Sequence, residues 1–416
     1  MLPTNRYLTL FSAIVLVTGC AVDGPDAAET IDDPDSPDQA SAEGSAAQAL
    51  LPGPTTSYAV GAACVTSADC AAGEYCEIGP GWALSSFALD HTCRTQASSA
   101  ISTSLSCTLP SMANVTATDI IYTSDGWSCS VFQPTSGTNL PVVVVFPYGG
   151  FLSQFRLNPD MINYAKSIVT TGKVAAVCDY TKATSTLAGV PLEISDVRCG
   201  IRTFATAAGG LAFTAAGGGT YRGDPTRLGV VGTSAGGSLA LVVALTADQS
   251  ALSFGSGTVS LDSGTCNVAP LPGGEVGLVK RLIAAAPPTD MPGPYGYGAA
   301  AFPTNATRLG WYAGASTNPA RAEALTAVSP ALADMAHPYP GAPPILLIQS
   351  SGDTTVDPAQ SATMDAALDA HGFKHSRILV PTLYSGSTNV SHPWPFNLGG
   401  TAAPAQCTGY AFLAGL

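Results

Sequence analysis

Leu228-Gly229-Val230-Val231-Gly232-Thr233-Ser234-Ala235-Gly236-Gly237 decides how this chain is read. An apolar, β-branched run ends in a Gly-x-Ser-x-Gly pattern. The stretch that follows, Ser238-Leu239-Ala240-Leu241-Val242-Val243-Ala244-Leu245, is fit for a helix. The order is strand, sharp turn, serine, helix. Such a turn projects a serine hydroxyl outward and places a helix N-terminus beside it. It also leaves no room for side chains two residues before and after the serine, which is where Gly232 and Gly236 stand.

The elements around this turn alternate. Asp119–Tyr122 and Ser128–Phe132 are predicted as early strands, and the Pro-Val-Val-Val-Val-Phe run makes Leu140–Phe146 a buried one. Pro159–Thr170 reads as a helix, Lys173–Tyr180 as a strand, Ile194–Ala208 as a helix and Arg227–Val231 as the strand before Ser234. Arg281–Ala285, Pro344–Gln349 and Ser376–Leu383 are further strands, with a helix over Asp357–Asp369. Alternation at this length predicts an α/β fold: a doubly wound, mostly parallel sheet covered by helices on both faces. This large domain spans residues 105–416.

The chain has 416 residues, of which 46% are hydrophobic and 11% charged, with a net charge of −13. That is enough apolar material for a large core. No basic patch is visible, which argues against nucleic-acid binding. Eight carboxylates (Asp23, Asp26, Glu29, Asp32, Asp33, Asp35, Asp38 and Glu43) lie between Ala21 and Tyr58 without a single Lys or Arg. Residues 20–60 therefore read as a solvated, unstructured linker. Asp32-Asp33-Pro34-Asp35 lacks the glycine and bidentate glutamate of a calcium loop.

Residues 1–19 read as a signal peptide: Arg6, an apolar stretch from Leu8 to Val17, then Thr18-Gly19. The stretch is too short for a stable membrane-spanning helix. Val17-Thr18-Gly19-Cys20 resembles the bacterial lipoprotein box, which implies lipidation at Cys20 and a tether to the cell envelope. The expected location is thus exported, with membrane contact through the lipid anchor only.

Setting Cys20 aside, ten of the eleven cysteines remain, an even number that fits disulfides in an oxidising compartment. Cys64, Cys70, Cys76 and Cys93 mark a small Cys-rich module over residues 61–97, whose spacings lack the Cys-x2-Cys pairs of zinc sites. Cys107, Cys129, Cys178, Cys199, Cys266 and Cys407 belong to the large domain, and spacing leaves the pairing open.

A serine hydroxyl needs a base to take its proton and a carboxylate to orient that base. In this topology both should follow later strands, acid before histidine. Of the five histidines, His392 alone follows the last strand; His371 and His375 flank the turn before it, at the wrong end of the sheet. Asp353 comes directly after the strand Pro344–Gln349 in a Gly-Asp turn, whereas Asp357 precedes Pro358 and is placed to cap a helix. The expected triad is Ser234, Asp353 and His392. For the developing oxyanion, the expected donors are the backbone N–H groups of Gly149, Gly150 and Ala235. No metal and no organic cofactor is needed for this chemistry.

Together these residues resemble the α/β-hydrolase superfamily, and within it bacterial carboxylesterases of the hormone-sensitive-lipase and feruloyl-esterase-like groups. The resemblance runs through Gly223-Asp224-Pro225-Thr226-Arg227-Leu228, the elbow Gly232–Gly237, Asp179-Tyr180, Asp196-Val197, Ala327-Val328-Ser329-Pro330 and Gly352-Asp353-Thr354-Thr355-Val356. It implies hydrolysis of a small-molecule or polymer-linked ester through an acyl-enzyme. Polyester, acyl-sugar and feruloyl esters stand as alternatives, as does a non-catalytic binding module on the same fold. Two departures are clear: Pro147-Tyr148-Gly149-Gly150 stands where the family usually has His-Gly-Gly-Gly, and Gln249–Lys280, after the nucleophile helix, looks like an insertion. The aromatic stretch Met291–Tyr312 is open to two readings, a lid or acyl pocket and plain packing.

Overall fold

The computed structural model describes residues 71, 74–78, 91–95, 115–153, 156–184, 186–254, 257–262, 264–272, 274–292, 312–313, 325–326, 328–332, 341–350, 353, 355–380, 409–410 and 412–416. The proposed signal peptide, Cys20, the acidic linker, most of the Cys-rich module and His392 lie outside the described residues. Of the module, two strands are described, β1 (Glu74–Ile78) and β2 (His91–Thr95), paired antiparallel.

The large domain is built on an eight-stranded sheet. Its strands are β3 (Val115–Ile121), β4 (Ser128–Pro134), β5 (Leu140–Phe146), β6 (Val174–Cys178), β7 (Gly223–Thr233), β10 (Val279–Ala285), β11 (Ile345–Ser350) and β12 (His375–Val380). They lie in the order β12-β11-β10-β7-β5-β6-β4-β3. The pairs from β12 to β6 are parallel, and β4 and β3 complete the edge antiparallel. The doubly wound, mostly parallel sheet is therefore as expected.

Its central strands are apolar throughout because both faces are covered. Along β5, Val142, Val144 and Phe146 enter one hydrophobic layer while Val143 and Val145 enter the other. The first layer receives α2 (Leu192–Ala205), α4 (Ala235–Leu245) and α5 (Ala359–Ala370); the second receives α1 (Pro159–Thr170) and the C-terminal Tyr410, Phe412 and Leu413. Every residue of α4 is buried, so it is a core helix with no polar face. α1 begins where Asn158 accepts a hydrogen bond from the Asp160 amide at 2.9 Å and Pro159 takes the first turn.

Some boundaries differ from expectation. β7 starts at Gly223 rather than Arg227, because Leu140 and Pro141 continue the β5 ladder to Gly223 and Asp224. The helix expected over Ile194–Ala208 ends at Ala205, and a separate helix, α3 (Ala208–Ala215), follows. The insertion contains its own antiparallel hairpin, β8 (Ala251–Phe254) with β9 (Gly257–Ser260).

The insertion is fastened to the core. A Cys199–Cys266 disulfide ties it to α2, and Cys129–Cys178 joins β4 to β6 at directly paired positions. Arg198 and Arg202, both on α2, converge on Glu275: Arg198 Nε donates to Oε2 at 2.6 Å and Arg202 Nε to Oε1 at 2.5 Å. Arg202 also reaches Asp262 at 2.8 Å. Arg198, Arg202 and Glu275 are buried, Asp262 is half-buried, and each charge is paired, which is the condition for tolerating charge inside a protein.

Candidate active site

In an open parallel sheet a ligand crevice forms beyond the carboxyl ends of the strands, where the strand order reverses. That reversal falls at β5 and β7: the chain leaves β5 for β6 on one side, then returns to β7 on the other. Ser234 directly follows β7, and Gly149 and Gly150 follow β5. Phe146 and Gly232 are register partners, so the two loops leave the sheet at the same level.

Ser234 adopts φ +50° and ψ −121°, a strained conformation for a residue with a side chain. The strain is held by its surroundings. The Ser234 amide donates to Ala285 O on β10 at 2.7 Å, and Ser234 O accepts from the Ser238 amide at 3.0 Å as α4 begins. The glycines meet the expected steric demand. A Cβ on Gly232 would sit 2.3 Å from Gly236 O, and one on Gly236 would sit 2.4 Å from Phe146 O and 2.6 Å from Pro147 O. All of these are backbone atoms, so no rotamer change relieves the clash. Gly236→Ala is therefore expected to push the elbow away from the β5 loop. We expect kcat of its ester hydrolysis to fall by at least ~100-fold, the scale for misplacing reacting groups by about 1 Å. A Gly236→Ala enzyme with wild-type kcat would refute the close-approach argument.

The loop after β5 is a tight turn. The Leu152 amide donates to Gly149 O at 3.1 Å, and the two central residues, Gly150 and Phe151, have φ +56° and +67°. Positive φ at both positions defines a type I′ turn, easy for glycine and costly for phenylalanine. Phe151 is held there by burial and by a stacked ring, Tyr312, at 4.0 Å between centroids. Tyr312 and Met291, the two ends of the aromatic stretch left open above, are both buried, so at its described ends that stretch packs into the core.

The Pro147-Tyr148 departure is accommodated in two ways. Pro147 O accepts a hydrogen bond from the buried Tyr180 hydroxyl at 2.8 Å and lies against Gly236. Tyr148 is half-buried and packs on the layer that holds α1. Tyr180 is itself set by its neighbour: Thr181 donates from its amide (2.8 Å) and its hydroxyl (2.6 Å) to Asp196. Burial pushes the Asp196 carboxyl up to about 6 against those two bonds. Burial likewise holds the Glu193 carboxyl well above the usual carboxylate range, and burial first, with Glu193 second, raises the phenols of Tyr180 and Tyr312. The backing of the β5 loop is thus a dry layer in which charge is strongly disfavoured.

Ala235, the third expected donor, is the first residue of α4. Amides of a first helical turn have no partner within the helix.

Asp353 lies beyond the carboxyl end of β11, two strands from β7, and is buried. Its Oδ1 accepts from the amides of Thr355 (2.9 Å) and Val356 (3.0 Å), and its Oδ2 from Gln349 Nε2 (2.9 Å). Asp357 has the other role: its Oδ1 accepts from the Ala359 amide at 2.8 Å and caps α5. Two supporting residues, Gln349 and Tyr180, were not anticipated. The available signal for Gln349 is a polar residue directly after the buried run Ile345–Ile348, where burial demands a specific partner.

The BD-FAE family profile matches residues 130–368. The chain belongs to this family, an α/β-hydrolase-type esterase family. Among solved structures, a truncated carbohydrate esterase from gut microbiota is 19% identical with a TM-score of 0.53, covering 66% of this chain and 90% of its own. An esterase from Pyrobaculum calidifontis is 21% identical with a TM-score of 0.45, covering 66% and 78%. No curated protein sequence matches this chain. The BD-FAE match reaches from β4 through the elbow to α5 and includes Ser234 and Asp353.

Proposed function

We propose that this BD-FAE protein is a serine esterase that cleaves carboxylic esters through an acyl-enzyme. Ser234 Oγ attacks the ester carbonyl as His392 takes its proton. The tetrahedral oxyanion is held by the amides of Gly149, Gly150 and Ala235. Its collapse expels the alcohol, which receives the proton from His392, and leaves an ester on Ser234. Water then attacks that ester, with His392 again as base, releasing the acid and regenerating the Ser234 hydroxyl. Asp353 orients His392 and stabilises its charged form.

The observation that carries this reading is the strained Ser234 at the sheet's reversal point, with backbone packed too closely at Gly232 and Gly236 for any side chain. A fold that merely needed a turn here has no use for that strain. The elbow therefore favours an enzyme over a binding module. The test is hydrolysis of p-nitrophenyl acetate and butyrate, beside acetylated sugars and feruloyl esters, by the wild-type chain. Turnover of at least one class supports the proposal; no turnover of any of them opposes it.

A further inference from the structure

A second cluster lies at the opposite end of the sheet, where β12 begins. Asp365 and Asp369 are four residues apart on α5 and so share one face. His375, the first residue of β12, points its ring at both: Nε2 is 3.0 Å from Asp365 Oδ1 and 3.5 Å from Asp369 Oδ1. The three donor atoms lie within 4.8 Å of one another.

The histidine itself points to a ligand. Its side chain is fully buried, and Nδ1 is 2.9 Å from Phe373 O, a carbonyl that can only accept. The Nδ1 proton is thereby fixed, and Nε2 is the nitrogen aimed at the carboxylates. Yet neither approach of Nε2 has the alignment of a hydrogen bond. The three atoms are placed to serve as ligands around a common centre. With zinc–nitrogen and zinc–oxygen bonds near 2.0–2.1 Å, the edges of a tetrahedral site come to about 3.4 Å, close to both distances. The outer groups fit as well. A backbone carbonyl anchors the far nitrogen of the histidine, and Arg377 Nε stands 3.6 Å from Asp365 Oδ2, the oxygen not paired with His375.

We propose that Asp365, Asp369 and His375 bind a divalent transition-metal ion of the zinc class, fastening α5 to the start of β12. One imidazole with two carboxylates suits zinc better than calcium or magnesium, which prefer oxygen alone. Water completes the fourth position on the side of Asp369, the most exposed of the three side chains at 18%. The catalytic residues proposed above all follow carboxyl ends of strands, whereas this site lies at an amino end, so its role is structural.

The full chain, kept oxidised, is dialysed against micromolar zinc and then against metal-free buffer, and bound zinc is measured by mass spectrometry. The wild type is expected to retain about one more zinc per chain than Asp369→Asn, which removes a ligand charge at little cost to packing. Comparing the two cancels zinc held by any cysteines. Cobalt in place of zinc should give the intense visible bands of a four-coordinate ion in the wild type only. Thermal unfolding of the wild type supplies a readout independent of any variant: zinc should raise its midpoint by on the order of 3 °C and a chelator should reverse the gain. Ester hydrolysis by Asp369→Asn should be unchanged. Equal zinc in the two proteins, or a wild-type midpoint indifferent to zinc, overturns the proposal.

Discussion

Replacing Ser234 by alanine is expected to lower kcat for ester hydrolysis by roughly 10⁴- to 10⁶-fold, the range seen when a triad nucleophile is removed. The loss should fall on kcat and leave KM little changed, because the hydroxyl acts on the reacting carbonyl rather than in ground-state binding. Folding should survive. The turn is held by backbone contacts to Ala285 and Ser238, and neither uses the Ser234 side chain. A Ser234→Ala protein retaining more than about one hundredth of wild-type kcat, with unfolding unchanged, would show that another group performs the attack.

The second large effect is expected at Asp353. Asp353→Asn keeps the shape and an oxygen able to accept from the Thr355 and Val356 amides, but its NH2 group confronts the Gln349 donor and cannot accept a hydrogen bond from the proposed base, His392. An amide at this place leaves the base in the wrong tautomer and removes the charge that stabilises its protonated form. The expected loss in kcat is about 10⁴-fold. Asp357→Asn is the control: four residues away on the same loop, it caps α5 and should cost at most about 1 kcal/mol of stability while leaving kcat within a few-fold. The reverse pattern, with Asp357→Asn inactive and Asp353→Asn active, would reassign the acid.

The layered core was legible because its signal is local. Each valine of β5 declares its own burial, and Ile345–Ile348 does the same for β11. The elbow was legible because strain and close approach demand glycine at fixed offsets from Ser234. Asp357 was legible as a cap because it stands directly before Pro358; the catalytic role of Asp353 stands as proposed above. What escaped depends on partners far apart in the chain. Tyr180 supports Pro147 and Gln349 orients Asp353 only once the sheet has assembled. The α3 helix was hidden by Gly209 and Gly210, which depress helix propensity in so short a segment. The β8–β9 hairpin has only a faint signal, two short strand-like runs separated by Gly255-Ser256. His375 was set aside for lying at the wrong end of the sheet to act as a base; that same position gives it the two aspartates of α5.

Covalent labelling tests the proposed chemistry most directly. The folded wild-type chain is treated with a fluorophosphonate, digested and sequenced by mass spectrometry. The account predicts a single phosphonylated residue, Ser234, with ester hydrolysis lost in proportion to its labelling and no labelling after unfolding. Complete loss of activity with the adduct on any other residue, or an active enzyme whose Ser234 stays unmodified, would contradict it.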